Sequence, residues 1–581
     1  MKKLSFYILA LLVATFVIGQ SFNYKVSPEK TSRTTTSFRS FPLGVSMCGT
    51  SVYLDKDSAL NIPALKGWGH YKWEISSVSD SARYYFNQGI SLYYAFHNLE
   101  AIASFSKATK LDPDCAMAWY GKALAMGPTI NYDQDYLAPS AALEAANKSQ
   151  ELSAGCNALE KDLIEAIQHR YSADTSMNVK QLRINYAAAM EKVYEKHKND
   201  ADAITLYADA ELLLHPWDMY NHDFSPKPWT PKIQSLLEQA MKLSPEHPGA
   251  NHFYIHTMEG SAHPETAIKS AHLLDTLMPQ VAHITHMPSH IYIRTGDYSR
   301  GIKVNDDAAA GYSLYKKEFA PVTNSEFLYE THTLHLKSSC AQMAGNYETA
   351  MDAAVKVSRE AADSGAPALK TALGNYMQYV YSAPLLTNVR FGKWDEIIST
   401  SKPESLLFAD ILQHFAKGMA YSRKHQTIMA KNELKAVREK MSARILKEDA
   451  VTYSTAYDIC RVADLILAGV IDEDQKDYTG AIGKFQQAVI AEDHLIYSEP
   501  RAWTLPARQF LGEVYIKARQ HGKAINIFNQ DLQINPDNGW SLTGLSIAYQ
   551  SLHNIQALAQ TKIRLKTAWK ISDTEINSAV F

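Results

Sequence analysis

Between Asn251 and Tyr298 the chain reads NHFYIHTMEGSAHPETAIKSAHLLDTLMPQVAHITHMPSHIYIRTGDY. Two histidine pairs stand in this stretch, His252/His256 and His286/His290. Each pair is spaced i, i+4, which puts both rings on one helix face with Cβ atoms ~6 Å apart. The second pair repeats the first after 34 residues, member for member. That is the period of a helix–turn–helix unit that stacks into a solenoid. The spacing therefore predicts two equivalent helices, one above the other, each carrying a histidine pair. Histidine is only 21 of 581 residues, so a repeated pair in register argues for a shared role.

The same period extends outward. From Ala82 onward small residues recur where paired helices must approach closely, with a large residue four positions later. Gly89, Ala101, Phe105, Ala108 and Pro113 follow this frame, and so do Gly512, Tyr515, Ala524, Phe528 and Pro536. Gly480, Ala481, Phe485 and Ala488 fit the second helix of another late unit. Pro113, Pro245 and Pro536 stand where second helices should stop, because Pro breaks the i to i−4 ladder. No segment of period-two alternation competes. On these residues the chain resembles the tetratricopeptide repeat family. The resemblance implies an all-α fold, a right-handed α-solenoid of helix–turn–helix repeats, with ten or eleven helix pairs.

The predicted organisation has six parts. Residues 1–20 read as a signal peptide, with Lys2 and Lys3 before an apolar run from Leu4 to Ile18 and a small residue at Gly19. Residues 21–41, rich in Ser, Thr and Arg, read as a flexible tether. Residues 42–80 read as an irregular N-terminal cap, since end units of solenoids are atypical. Residues 81–200 hold N-terminal repeats, 201–360 the histidine-rich central repeats, and 361–575 the C-terminal repeats. The chain is expected to be exported, to the periplasm or the extracellular space, with no transmembrane span in the mature chain.

Composition excludes some classes. The net charge is −3, with no basic stripe, so no nucleic-acid partner is expected. Five scattered cysteines form no CxxC and no dense framework. Cys340 falls inside an apolar helical pattern and reads as a small buried hydrophobe. No P-loop, HExxH, GxSxG or dinucleotide signature occurs.

The tetratricopeptide resemblance also implies which residues line the concave groove. Aligned by small residues Ala267, Gly301 and Ala350, groove position 5 is His252, His286 and His335 in three successive repeats. A 15-residue insertion separates the last two. His256 and His290 occupy position 9, Glu259 position 12, and His332 position 2. With packed helices ~8–10 Å apart, imidazoles reaching inward would meet one ion at Zn–N distances of ~2.0–2.1 Å. The candidate metal ligands are therefore His252, His256, His286, His290, Glu259 and His335, and the candidate ion zinc or copper. His332, Trp503 and Glu499 are candidate groove or partner contacts.

Three readings of these histidines stand side by side. They grip a protein or peptide partner in the groove, they hold a metal, or they are satisfied interior residues. The first makes the chain an exported scaffold rather than an enzyme; no catalytic residue and no organic cofactor is assigned. The second makes it a metal carrier or metal-dependent enzyme. Glycan capture of the SusD kind is a further alternative, against which the number of repeats counts. His215, Pro216, Trp217 and Asp218, with His222 and Asp223, lie in an insertion that reads as a surface loop.

A finer resemblance concerns HMPSHIYIRTGDY at 286–298, LDPDCAMAWYGKALAMGP at 111–128 and NPDNGW at 535–540. These segments look like those of a group of long exported bacterial tetratricopeptide proteins. Members of that group often carry a second Cys where this chain has Ala118. The resemblance implies fold and a shared site and names no reaction.

Overall fold

Helical hairpins towards both ends of this chain close around an aromatic wedge. In the computed structural model Phe105, on the helix Asn98–Leu111, lies between Gly89 of the helix Asp80–Tyr94 and Gly121 of the helix Ala116–Met126. A Cβ at Gly89 would come within 2.8 Å of the Phe105 ring, and one at Gly121 within 2.3 Å. Phe528 is wedged in the same way between Gly512 and Gly544, at 2.3 Å from each built Cβ. The wedge rings are fully buried, which contributes ~2–3 kcal/mol each. Glycine is thus required where the wedge meets both flanking helices.

The structure describes residues 61–131, 136–174, 176–320, 327–363, 374–401, 406–448 and 454–581. These belong to a compact unit spanning 42–581. The fold is an all-α solenoid of tetratricopeptide-like helix pairs. The pairs run from Asp80–Tyr94 with Asn98–Leu111 to Gly539–Ser551 with Ile555–Ala568. Counting the broken helices at 282–295 and 374–390 as single arms, there are twelve pairs among the described residues, against ten or eleven expected. The β-type pairing described is an isolated bridge between Tyr220 and Pro226. The leader and tether, residues 1–41, and the first part of the cap lie outside the described residues. No described helix is long and apolar enough to cross a membrane.

Local chemistry sets the helix ends. Ser79 caps the first helix by accepting from the Ala82 N–H at 3.2 Å. Second helices end at Leu111, Leu243 and Ile534, two residues before Pro113, Pro245 and Pro536. Within several hairpins the turn passes through the left-handed region. Glycine takes that position at Gly296, Gly345 and Gly392, but Phe96 takes it in the first hairpin, with φ 57°. For a bulky residue this conformation is unfavourable. His425, Lys476, Arg519 and His553 take it in later hairpins, and the Phe96 ring is the buried one among them.

The solenoid is not an open trough. Tyr94 donates its hydroxyl to Asp202 at 2.7 Å, and Tyr71 of the cap donates to the other oxygen of the same carboxylate at 2.6 Å. The first hairpin is thereby tied against the central repeats. From the other side the C-terminal repeats also fold back on the centre. Trp540 Nε1–H donates to the Gln342 carbonyl at 3.0 Å, and Tyr298 donates to the Pro536 carbonyl at 2.8 Å. The Arg390 guanidinium stacks 3.9 Å over the Trp540 ring. Residues that sequence register places on a concave groove are therefore interior. Four of the five cysteines are described, all as buried free thiols, Cys340 among them.

Candidate metal centre

Six histidines meet where the first hairpin touches the central repeats. His252 and His256 lie on the helix Pro248–Met258, His283 and His286 on Ala282–His286, His290 on Pro288–Thr295, and His332 on Phe327–Met343. All six are at most 4% exposed. They divide into two groups of three, His252/His256/His283 and His286/His290/His332. In each group one ligand nitrogen per ring lies within 4.8 Å of the others.

The protonation of the rings follows from their partners. His286 Nδ1 faces Asn305 Oδ1 at 2.6 Å, and Asn305 Nδ2 donates to the Gly301 carbonyl at 2.7 Å. The amide orientation is fixed, so Oδ1 accepts and His286 Nδ1 carries the proton. His252 Nδ1 donates to the Tyr94 carbonyl at 2.6 Å. Glu259 serves two rings at once. Its Oε1 accepts from His256 Nδ1 at 3.3 Å, and its Oε2 contacts His290 Nδ1. In His252, His256 and His286 the proton sits on Nδ1 and Nε2 presents a lone pair, and the Glu259 contact places a proton on His290 Nδ1 as well.

In one group the Nε2 atoms converge. His290 Nε2 lies 2.9 Å from His286 Nε2 and 3.2 Å from His332 Nε2. Nitrogens held at ~2.0–2.1 Å by one tetrahedral ion sit about 3.3 Å apart. Two facing imidazole lone pairs repel unless a cation lies between them. The other group is wider. Its ring centroids are 4.8, 5.0 and 6.1 Å apart, against 4.8, 4.7 and 5.2 Å in the first.

Burial disfavours the charged form of five of the six rings. Burial, reinforced by neighbouring histidines, holds His252, His283, His286 and His332 well below the ordinary imidazole value. Burial lowers His256 as well. Burial by itself would raise Glu259. The opposing pull of His290 and His256 wins and holds its carboxyl at about 2. The arrangement is thus imidazole nitrogen donors backed by one carboxylate, a donor set that suits zinc and copper.

The structure changes the predicted ligand set in four places. Glu259, expected among the ligands, is in neither group and stands behind His256 and His290 instead. His335, expected among the ligands, is in neither group. It points to Tyr376 and Tyr379, at ring distances of 6.4 and 5.9 Å, and lines a separate cavity with Pro500 and Arg501. His332, expected as a groove contact, takes the place beside His290. His283 was not predicted, because it has no counterpart 34 residues earlier in the histidine frame. Its signal was its place in the run HITHMPSH at 283–290.

The candidate partner contacts are also interior. Trp503 is 2% exposed and packs edge-on against Phe415 at 5.3 Å. Glu499 is buried, and burial pushes its carboxyl well above the usual range. The insertion expected as a plain surface loop contributes Trp217, whose ring meets His256 edge-on at 5.2 Å. His215 of that insertion stacks on Trp229 at 3.8 Å.

The first hairpin supplies what no register in the central repeats contains. The Phe96 ring lies 4.5 Å from His252, 5.8 Å from His256 and 5.7 Å from His283. Next to it, His97 donates from Nδ1 to Glu100 at 3.0 Å. Its Nε2 accepts the backbone N–H of His283 at 3.3 Å.

No family model matches this sequence, and no curated protein does. Among solved structures the chain is similar to the human IFIT1 dimer with PPP-AAAA, at 14% identity and TM-score 0.28, covering 89% of this chain and 99% of that one. It is similar to yeast Tom70 at 13% identity and TM-score 0.31, covering 86% and 93%. For the APC/C hetero-tetramer Cut9–Hcn1 the values are 13% and 0.25, covering 84% and 91%. Likeness at this level says nothing about ligand or activity.

Proposed function

We propose that this chain is a metal-holding helical-repeat scaffold, exported by its apolar leader, whose interior binds a zinc or copper ion at His286, His290 and His332. The single supporting observation is the convergence of three Nε2 atoms at 2.9 and 3.2 Å, with Asn305 and Glu259 tying the opposite nitrogens of two of the rings. Such outer partners fix the tautomer and ring orientation of metal-bound histidines. Three protein nitrogens leave a fourth position for water or a ligand. In this reading the first hairpin and the C-terminal repeats close over the centre and keep it from bulk solvent.

Isothermal titration of the full chain with Zn(II) and with Cu(II), compared with His286→Ala/His290→Ala, is the direct test. The wild type should bind one more ion tightly than the double variant does. Equal weak binding by both folded proteins removes the reading.

A further inference from the structure

We infer that the chain holds a second transition-metal ion, at His252, His256 and His283, and that Glu259 is the shared outer partner of both ions. The inference rests on the reading of the first centre and extends it. Three observations carry it. His252 and His256 have their Nδ1 protons tied to the Tyr94 carbonyl and to Glu259, so both offer Nε2 lone pairs. Those two Nε2 atoms, and both ring nitrogens of His283, are buried without a hydrogen-bond partner. Three buried imidazoles with unpartnered nitrogens, all within 4.8 Å, are costly to leave unsatisfied.

The surroundings make this second site different from the first. It is the wider of the two, and Phe96 packs against all three rings. Trp217 stands beside His256 with its indole N–H buried and unpartnered. A fourth ligand with an acceptor oxygen, water or hydroxide among them, fits a site that keeps a donor beside it. Glu259 then couples the two positions. Oε1 orients a ring of one centre and Oε2 a ring of the other, so one carboxylate serves two ions.

The test is metal stoichiometry on the full chain, loaded with Zn(II) and desalted, by elemental analysis. Wild type should retain two equivalents, His283→Asn one, and His332→Asn one. Glu259→Gln should weaken both sites by ~10–100-fold, because it serves a ligand in each. One equivalent in wild type, kept in His283→Asn and lost in His332→Asn, overturns the second site and leaves the first standing. No retained metal in wild type overturns both. Should the variants lose helicity, the wild type still decides. Two zinc ions per chain with three imidazoles each by X-ray absorption supports the inference, and one zinc per chain overturns it.

Discussion

His286 and His290 face one another Nε2 to Nε2 at 2.9 Å inside the repeat array. Their other nitrogens face Asn305 and Glu259, so in the neutral Nδ1–H tautomers these partners favour, two lone pairs meet at the contact. An ion placed there converts a repulsion into two bonds. A ligand that binds only the folded chain adds stability as RT ln(1 + [L]/Kd), about 2.7 kcal/mol at a hundredfold excess. Stripping with EDTA should therefore lower the Tm of the wild type by about 2–5 °C. His286→Ala/His290→Ala should show a smaller drop in calorimetry, and the same variant with His283→Asn added should show none. An EDTA-insensitive wild type would count against any bound ion.

His335 offers a clean pH probe, since it stands apart from both groups. Burial lowers it from 6.5 to about 4. Above pH 6.5 it is neutral folded and unfolded and contributes no pH dependence. Below pH 6.5 the unfolded chain takes up the proton first, so stability falls as pH falls, until about pH 4. At roughly 1.4 kcal/mol per pH unit, the loss between pH 6.5 and 5 is about 2 kcal/mol. Urea midpoints for His335→Gln at pH 7.5 and pH 5, in chelator, should differ less than those of wild type by that amount. An unchanged acid slope would mean that the ring is not buried neutral.

Phe96 combines a left-handed backbone with a ring packed on three histidines. Phe96→Ala loses the packing, about 3–5 kcal/mol, and keeps the strain. Phe96→Gly loses the same packing but relieves about 1–2 kcal/mol of backbone cost. The glycine variant should therefore be the more stable of the two, although it removes more atoms. Both should release metal faster than wild type. Greater stability of the alanine variant in denaturant titration would contradict the turn conformation.

The glycine positions are not equivalent. A Cβ at Gly121 meets the Phe105 ring at 2.3 Å, whereas one at Gly522 meets nothing within 4 Å. Gly121→Ala should cost about 1–3 kcal/mol through overpacking. Gly522→Ala, on a helix, should be neutral or stabilising by up to about 1 kcal/mol. Equal effects of the two on the urea midpoint would rule out the aromatic wedge as what holds adjacent hairpins.

Much of this protein was legible in the residues alone, because helix periodicity and hairpin stacking are local. Gly89, Ala101, Phe105 and Ala108 announce a paired-helix unit within one repeat, and the histidine pairs announce two equivalent helix faces through a 34-residue spacing. The register failed where locality ended. Carried across the insertion before His332, it selected His335, one helical turn from the ring that meets His290. Nothing near His252 pointed to Tyr94 or Phe96, 158 and 156 residues earlier, since the curvature that brings the first hairpin inside accumulates over many small rotations. Sequence by itself determined the helices, their pairing and the faces on which histidines stand. Only the tertiary structure decided that those faces are closed, that the histidines part into two groups of three, and that one carboxylate, Glu259, stands between them. The reason is that helix faces follow from neighbours in the chain, whereas a buried polar cluster is set by which distant hairpins come to share one interior.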